Sequence, residues 1–308
     1  MTLNARCKQF RFYGLMVLVL LLTACASSPS LESEAPPKLQ NFMATTDDLG
    51  MVADEALQLA GRLGAEQVLV VFDIDNTLLA MEQGLGSDQW YYWQKDLETE
   101  DPCSGLRVSD RFMVQGALFF ASAMRPTQAD AAEQVSRLQD AGLPVIAITS
   151  RGTDYRLQTY RELRRNGISF WPNALPPQQG FSESFIPEGG SRPARYEDGV
   201  FLTAGQDKGV MTRALLEKTG TPVPSVIVIA DDKSENLKNV MAAFQGTDTA
   251  VHAWRYSRED ANVAAFDPGK AAEEWDALRP ALIKIEQVLG PDHYDLPVDV
   301  IREGCAAN

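Results

Sequence analysis

The chain has 308 residues, 45% of them hydrophobic and 23% charged, with a formal net charge of −14 and a pI near 4.6. That length suits one sizeable core, or a core domain with a smaller addition. So acidic a balance excludes DNA or RNA as a partner, because nucleic acids need a basic face.

The first elements read as an address. Arg6, Lys8 and Arg11 precede an apolar run from Gly14 to Leu22 that is too short to span a bilayer, the pattern of an export signal over residues 1–24. It closes in Leu22-Thr23-Ala24-Cys25, which resembles the bacterial lipoprotein box. That resemblance implies cleavage before Cys25 and acylation of its thiol. With Ala26 rather than Asp next, it also implies the outer membrane, facing the periplasm. Residues 25–42, rich in Ser, Pro and Glu, read as a flexible tether, and residues 43–308 as the folded domain. Once Cys7 leaves with the signal and Cys25 carries lipid, Cys103 and Cys305 form the candidate disulfide, with two unpaired thiols as the alternative.

Thr46, Asp47 and Asp48 open a helix whose apolar positions run from Leu49 to Leu63 at helical spacing, and Gly64 ends it. Val68 to Phe72 is an apolar run without polar alternation, a strand buried on both faces. It leads straight into Asp73 and Asp75, which must sit at the strand's mouth because unpaired buried carboxylates are costly. The carboxyl ends of such strands are where open α/β sheets bind ligands.

Residues 80–125 show no regular pattern. Their aromatic cluster, Trp90 to Trp93, suits either the core of a small helical unit or stacking on a substrate ring. Thr127 opens a further helix that closes at Gly142. Pro144 to Ile148 is a second buried strand, ending in Thr149, Ser150 and Arg151. A helix spans residues 154–166. Residues 168–200 are a long loop, with a hairpin ending in Val200 to Leu202. Lys208 then stands at the start of an amphipathic helix, where free amides favour an anion. Pro224 to Ala230 is the third buried strand and ends in Asp231 and Asp232, with Asn236 four residues on. A strand from Ala250 to Tyr256 and a helix around Trp275 to Leu289 complete the domain. His252 and His293, the only histidines, lack ligand or triad spacing and read as structural.

Four of these strand and helix ends together resemble the motifs of the haloacid-dehalogenase-like (HAD) hydrolases. These are Asp73-Ile74-Asp75-Asn76-Thr77, the Thr149 strand end, Lys208, and Asp231-Asp232. The resemblance implies an α/β, Rossmann-like three-layer αβα sandwich with a parallel central sheet and a small, mainly helical cap at about 80–125. It implies Asp73 as nucleophile, Asp75 as general acid and base, and Lys208 on the phosphoryl group. Asp73, Asp75 (through its backbone carbonyl), Asp232 and Asp231 are the implied Mg²⁺ ligands. Thr149, Ser150, Arg151 and Asn76 are the candidate phosphate-binding residues, with a surface or helix-start role as the alternative for Arg151. Asn236 stands where the family pattern has Asp, so its expected part is indirect. The expected activity is hydrolysis of small phosphate monoesters. The alternative is a non-catalytic envelope lipoprotein that uses the same fold for binding.

Overall fold

The computed structural model describes residues 39–290. The leader over 1–24, Cys25, most of the tether, His293 and Cys305 lie outside the described residues. Cys103 is disulfide-bonded.

The domain starts one strand earlier than the sequence suggests. Strand β1 (Phe42–Thr46) lies at a sheet edge. Phe42 meets the rings of His252 and Trp254 edge-on at 4.6 and 5.3 Å, so the chain is already in the fold where the tether was expected to end. Helix α1 (Leu49–Leu63) follows, with Asp48 capping it by accepting from the Gly50 N–H.

Strand β2 (Val68–Phe72) is buried along its whole length. Val68, Val70 and Phe72 enter the core on one face of the sheet, and Leu69 and Val71 enter it on the other. Two covered faces explain the absence of polar alternation. The other sheet strands are β5 (Val145–Thr149), β6 (Arg195–Glu197), β7 (Val200–Leu202), β8 (Val226–Asp231) and β9 (Ala250–Tyr256). Their order is β1-β9-β8-β2-β5-β7-β6, with only the edge strand β6 antiparallel to its neighbour. Strand β2 is therefore central. Helices α1, α4 (Ala131–Asp140) and α5 (Arg156–Arg165) cover one face. Helices α6 (Lys208–Thr219) and α7 (Ser234–Ala243) cover the other. The protein is thus α/β, a mostly parallel seven-stranded sheet flanked by helices.

The stretch at 80–125 is regular after all. Strands β3 (Leu79–Met81) and β4 (Met124–Pro126) pair antiparallel and form a stem, and between them run helices α2 (Asp88–Glu100) and α3 (Arg111–Ala121). Leu85, Trp90, Val114 and Leu118 form a separate small core with Ala271 and Trp275 of the long helix α9 (Pro268–Leu289), which follows the short α8 (Asp260–Ala264). Helix α4 starts at Ala131 rather than Thr127. The Thr127 hydroxyl is used elsewhere, donating to the Thr77 carbonyl at 2.5 Å. His252 is structural, with Nδ1 2.7 Å from Glu55 Oε1. No helix among the described residues is long and apolar enough to cross a membrane.

Candidate active site

Three parallel strands deliver acids and donors to one end of the sheet. Past the end of β2, the backbone turns back at once, and the N–H groups of Thr77, Leu78 and Leu79 all donate to the Ile74 carbonyl. The turn needs a left-handed residue, and Asn76 supplies it with φ 58°. Asn76 lines a smaller cavity of about 230 Å³ beside Arg125 and Glu259, and is not among the residues of the large one.

Lys208 is the centre of the charge arrangement. Asp207 caps α6 by accepting from the Val210 N–H, which fixes Lys208 at the first helical position. Its Nζ lies 2.6 Å from Asp73 Oδ1 and 2.6 Å from Asp231 Oδ2. The lysine is 1% exposed and Asp231 0%, so one buried ammonium is shared between two carboxylates, which offsets part of the cost of burying them. Burial opposes the Lys208 charge, but Asp231 and Asp73 outweigh it and hold the ammonium protonated well above its ordinary range. Asp73 is pushed up to about 7, chiefly by burial; Lys208 pulls the other way, and Asp231 and Asp75 add to the rise.

Asp231 is also oriented by Asn236, whose Nδ2 donates to both carboxylate oxygens at 2.9 and 3.0 Å, and by the Lys233 N–H at 2.8 Å. Asn236 thus acts through Asp231, as its sequence position suggested. Asp232 is tied to the first loop, its N–H donating to Thr77 Oγ1 at 3.0 Å. This is the structural use of Thr77, a residue the sequence reading left without a role: it joins the turn after β2 to the turn after β8.

Ligand oxygens of Asp73, Asp231 and Asp232 all lie within 4.8 Å of one another. Burial and the charges of Asp73 and Asp231 raise Asp232 well above the ordinary carboxylate range. One lysine does not neutralise this group, so it has the charge excess a cation would relieve. Three carboxylates with no sulfur or nitrogen are the donor chemistry of a hard divalent ion. The Asp75 side chain is not part of this cluster.

Asp75 instead faces Arg151. Arg151 Nε donates to Asp75 Oδ2 at 2.8 Å and Nη2 to Oδ1 at 2.7 Å, a bidentate pair whose arginine side chain is 4% exposed. Burial would raise the Asp75 pKa, but the Arg151 charge and hydrogen bonds, with Lys233 and Lys208 behind them, outweigh it and lower it. Thr149 is fully buried, and its Oγ1 accepts from the Arg151 N–H at 3.2 Å. Thr203, also missed, holds this strand end by donating from N–H and hydroxyl to the Thr149 carbonyl. Ser150 is exposed and lines the large cavity.

That cavity, of about 1020 Å³, opens over Asp75, Arg151 and Asn236 and is walled by the inserted helices, including Asp88, Tyr91, Tyr92, Phe112 and Phe119. The insert is fastened to the loop after β8 by Lys233, which bonds Asp88 at 2.7 Å and lies 3.9 Å from the Tyr92 ring centroid. Asp88 and Lys233 are 145 residues apart in sequence, and no local pattern announces the pair. The aromatic cluster divides the two expected roles: Trp90 is core, whereas Tyr91 and Tyr92 line the cavity.

Residues 46–287 match a family described as proteins of unknown function, DUF2608. The chain belongs to that family. No curated protein matches it. Within the DUF2608 match lie every strand-end residue described above, from Asp73 to Asn236, and the whole of the inserted pair of helices.

Proposed function

We propose that the protein is a metal-dependent phosphomonoester hydrolase of the HAD type, with the unit between β3 and β4 as its cap. The observation that carries this reading is the convergence of Asp73, Asp231 and Asp232 on the buried Lys208 at the carboxyl end of the central strand. Phosphoryl transfer asks for an in-line nucleophile, positive charge around the phosphoryl oxygens and a proton for the leaving group.

Asp73 is the nucleophile in this reading, attacking phosphorus to give an aspartyl-phosphate while the ester oxygen departs. Lys208, 2.6 Å from the Asp73 carboxylate, orients it and lends charge to the incoming phosphoryl group. Asp75 hands the leaving oxygen its proton and, once ionised, takes a proton from the water that hydrolyses the intermediate. Arg151 favours the ionised form, which suits the second of these tasks. Ser150, which lines the cavity, and the fully buried Thr149, both at the end of β5, are the candidates for additional phosphoryl contacts. Asp73 and Asp232, with Asp231 beside them, would hold Mg²⁺, which supplies charge neutralisation at the phosphoryl oxygens when bound. The lipoprotein-type leader over residues 1–24, with Cys25 after it, would put this activity in the cell envelope, facing the periplasm.

A second reading, a binding module without turnover, draws on one observation: Asp75 is held ionised by Arg151 rather than poised as an acid. Hydrolysis of 4-nitrophenyl phosphate with Mg²⁺ separates the two. The hydrolase reading expects turnover that chelation removes and that Asp73→Asn lowers by at least about a hundredfold; an Asp73→Asn protein as active as wild type would sink it.

A further inference from the structure

The large cavity carries an inference about the substrate, and it rests on the hydrolase reading. Its volume of about 1020 Å³ stands at the upper end of ligand sites, which run from about 300 to 1,000 Å³. A phosphoryl group with a short alcohol would leave most of it to water.

Aromatic side chains line the cavity that opens over Asp75. Asp75 is gripped by Arg151, whose guanidinium lies 4.3 Å from the Phe119 ring centroid. Phe119 meets Tyr155 edge-on at 5.2 Å, and the Tyr155 hydroxyl donates to the Phe112 carbonyl at 2.8 Å. Phe112 in turn lies 6.0 Å from Tyr91. All of them line the cavity; Phe112 is 53% exposed and Phe119 8%, and the Arg111 guanidinium covers one side of the Phe112 and Tyr91 rings, 4.7 and 4.3 Å from their centroids. Trp90 and Trp93 pack in the insert's own small core, which Tyr91 also borders.

A leaving oxygen protonated by Asp75 must lie within about 3 Å of its carboxylate. Asp75 and these rings line the same cavity. Rings pack on rings edge-to-face or offset, with a gain beyond that of equal apolar area. We propose that the substrate is a phosphomonoester whose leaving group carries a planar aromatic ring, seated against Phe119, Tyr155, Phe112 and Tyr91.

Calorimetry on the purified protein with Mg²⁺ tests this with three phosphonates that cannot be hydrolysed: benzylphosphonate, cyclohexylmethylphosphonate and ethylphosphonate. The expected order is benzyl about tenfold tighter than ethyl and about threefold tighter than cyclohexylmethyl. Phe112→Ala, at a half-exposed position, and Phe119→Leu should each move the benzyl-to-cyclohexylmethyl ratio towards one. Equal affinity for the benzyl and cyclohexylmethyl compounds, or binding of none of the three, overturns the proposal. The matching phosphate esters keep the two readings apart. Turnover with no preference for the ring removes the ring site and leaves the hydrolase standing, whereas selective binding without turnover keeps the ring site and removes the hydrolase.

Discussion

Arg151 grips both carboxylate oxygens of Asp75, at 2.7 and 2.8 Å, and is almost wholly buried while doing so. The pair joins the ends of β2 and β5 beneath the large cavity. Its arginine also donates to Thr159 Oγ1 at 3.0 Å, anchoring it to α5.

Removing only the cation should be costly, because it leaves a mostly buried carboxylate without its bidentate partner. Arg151→Met is expected to destabilise the fold by about 3 kcal/mol. Asp75→Asn added to it should recover much of that loss. A double-mutant cycle from urea melts measures the coupling, and independent, additive effects would show that the pair contributes nothing jointly.

The acidic cluster predicts a metal response that does not depend on activity. Mg²⁺ at about a hundred times its dissociation constant should stabilise the protein by about 2.7 kcal/mol, read as a rise in Tm. Asp232→Asn should abolish most of that rise. A shift of the same size in the variant would place the ion elsewhere.

Lys233 ties α2 to the loop bearing Asp232 through Asp88 and the Tyr92 ring. Lys233→Met should therefore loosen the insert selectively. Hydrogen exchange is expected to quicken across residues 88–100 while strands β2 and β8 keep their protection. Uniform quickening would mean the lysine supports the whole domain instead.

Glu259 offers a pH test away from the acidic cluster. It accepts from Arg125 through both oxygens at 2.8 Å. Burial would raise its pKa, but the hydrogen bonds from Arg125 and Asn262 outweigh that and lower it. A depressed carboxylate stabilises the fold above its unfolded pKa, about 4.3, and loses that contribution as pH falls through the folded value. Glu259→Gln should thus cost about 1–2 kcal/mol at pH 7, where Arg125 is a third exposed and screened. The gap to wild type should close as pH drops below about 4. Denaturant melts at pH 7 and pH 3 give the comparison, and a constant gap would contradict it.

What the sequence made legible was the sheet and the acids at its strand ends. Val68 to Phe72 could only be a strand covered on both faces, and Asp73, Lys208, Asp231 and Asp232 meet because such strands deliver their ends to one edge. Asn236 was legible too, as a residue acting through a neighbour. Strand β1 was not, because an edge strand is buried at alternate positions only and its five residues follow a polar stretch. Helices α2 and α3 escaped for another reason: α2 buries only Trp90 and Gln94, so its apolar spacing is faint. Long-range pairing was the least legible. Arg151 lies 76 residues from Asp75, and no local pattern distinguishes a guanidinium that grips a carboxylate from one that is free to meet an anion. Asn76 shows the same limit at short range, where a residue in a motif proved to be needed for its left-handed backbone.

The central claim is that Asp73 attacks phosphorus. The most direct test is to mix the protein with Mg²⁺ and 4-nitrophenyl phosphate, quench with acid within the first turnovers, and map the peptides by mass spectrometry. The account predicts one phosphoryl group on the peptide containing Asp73, more of it in Asp75→Asn, where the water-activating base is gone, and none in Asp73→Asn. Turnover in the wild type with phosphate carried on another residue, or turnover undiminished in Asp73→Asn, would contradict it.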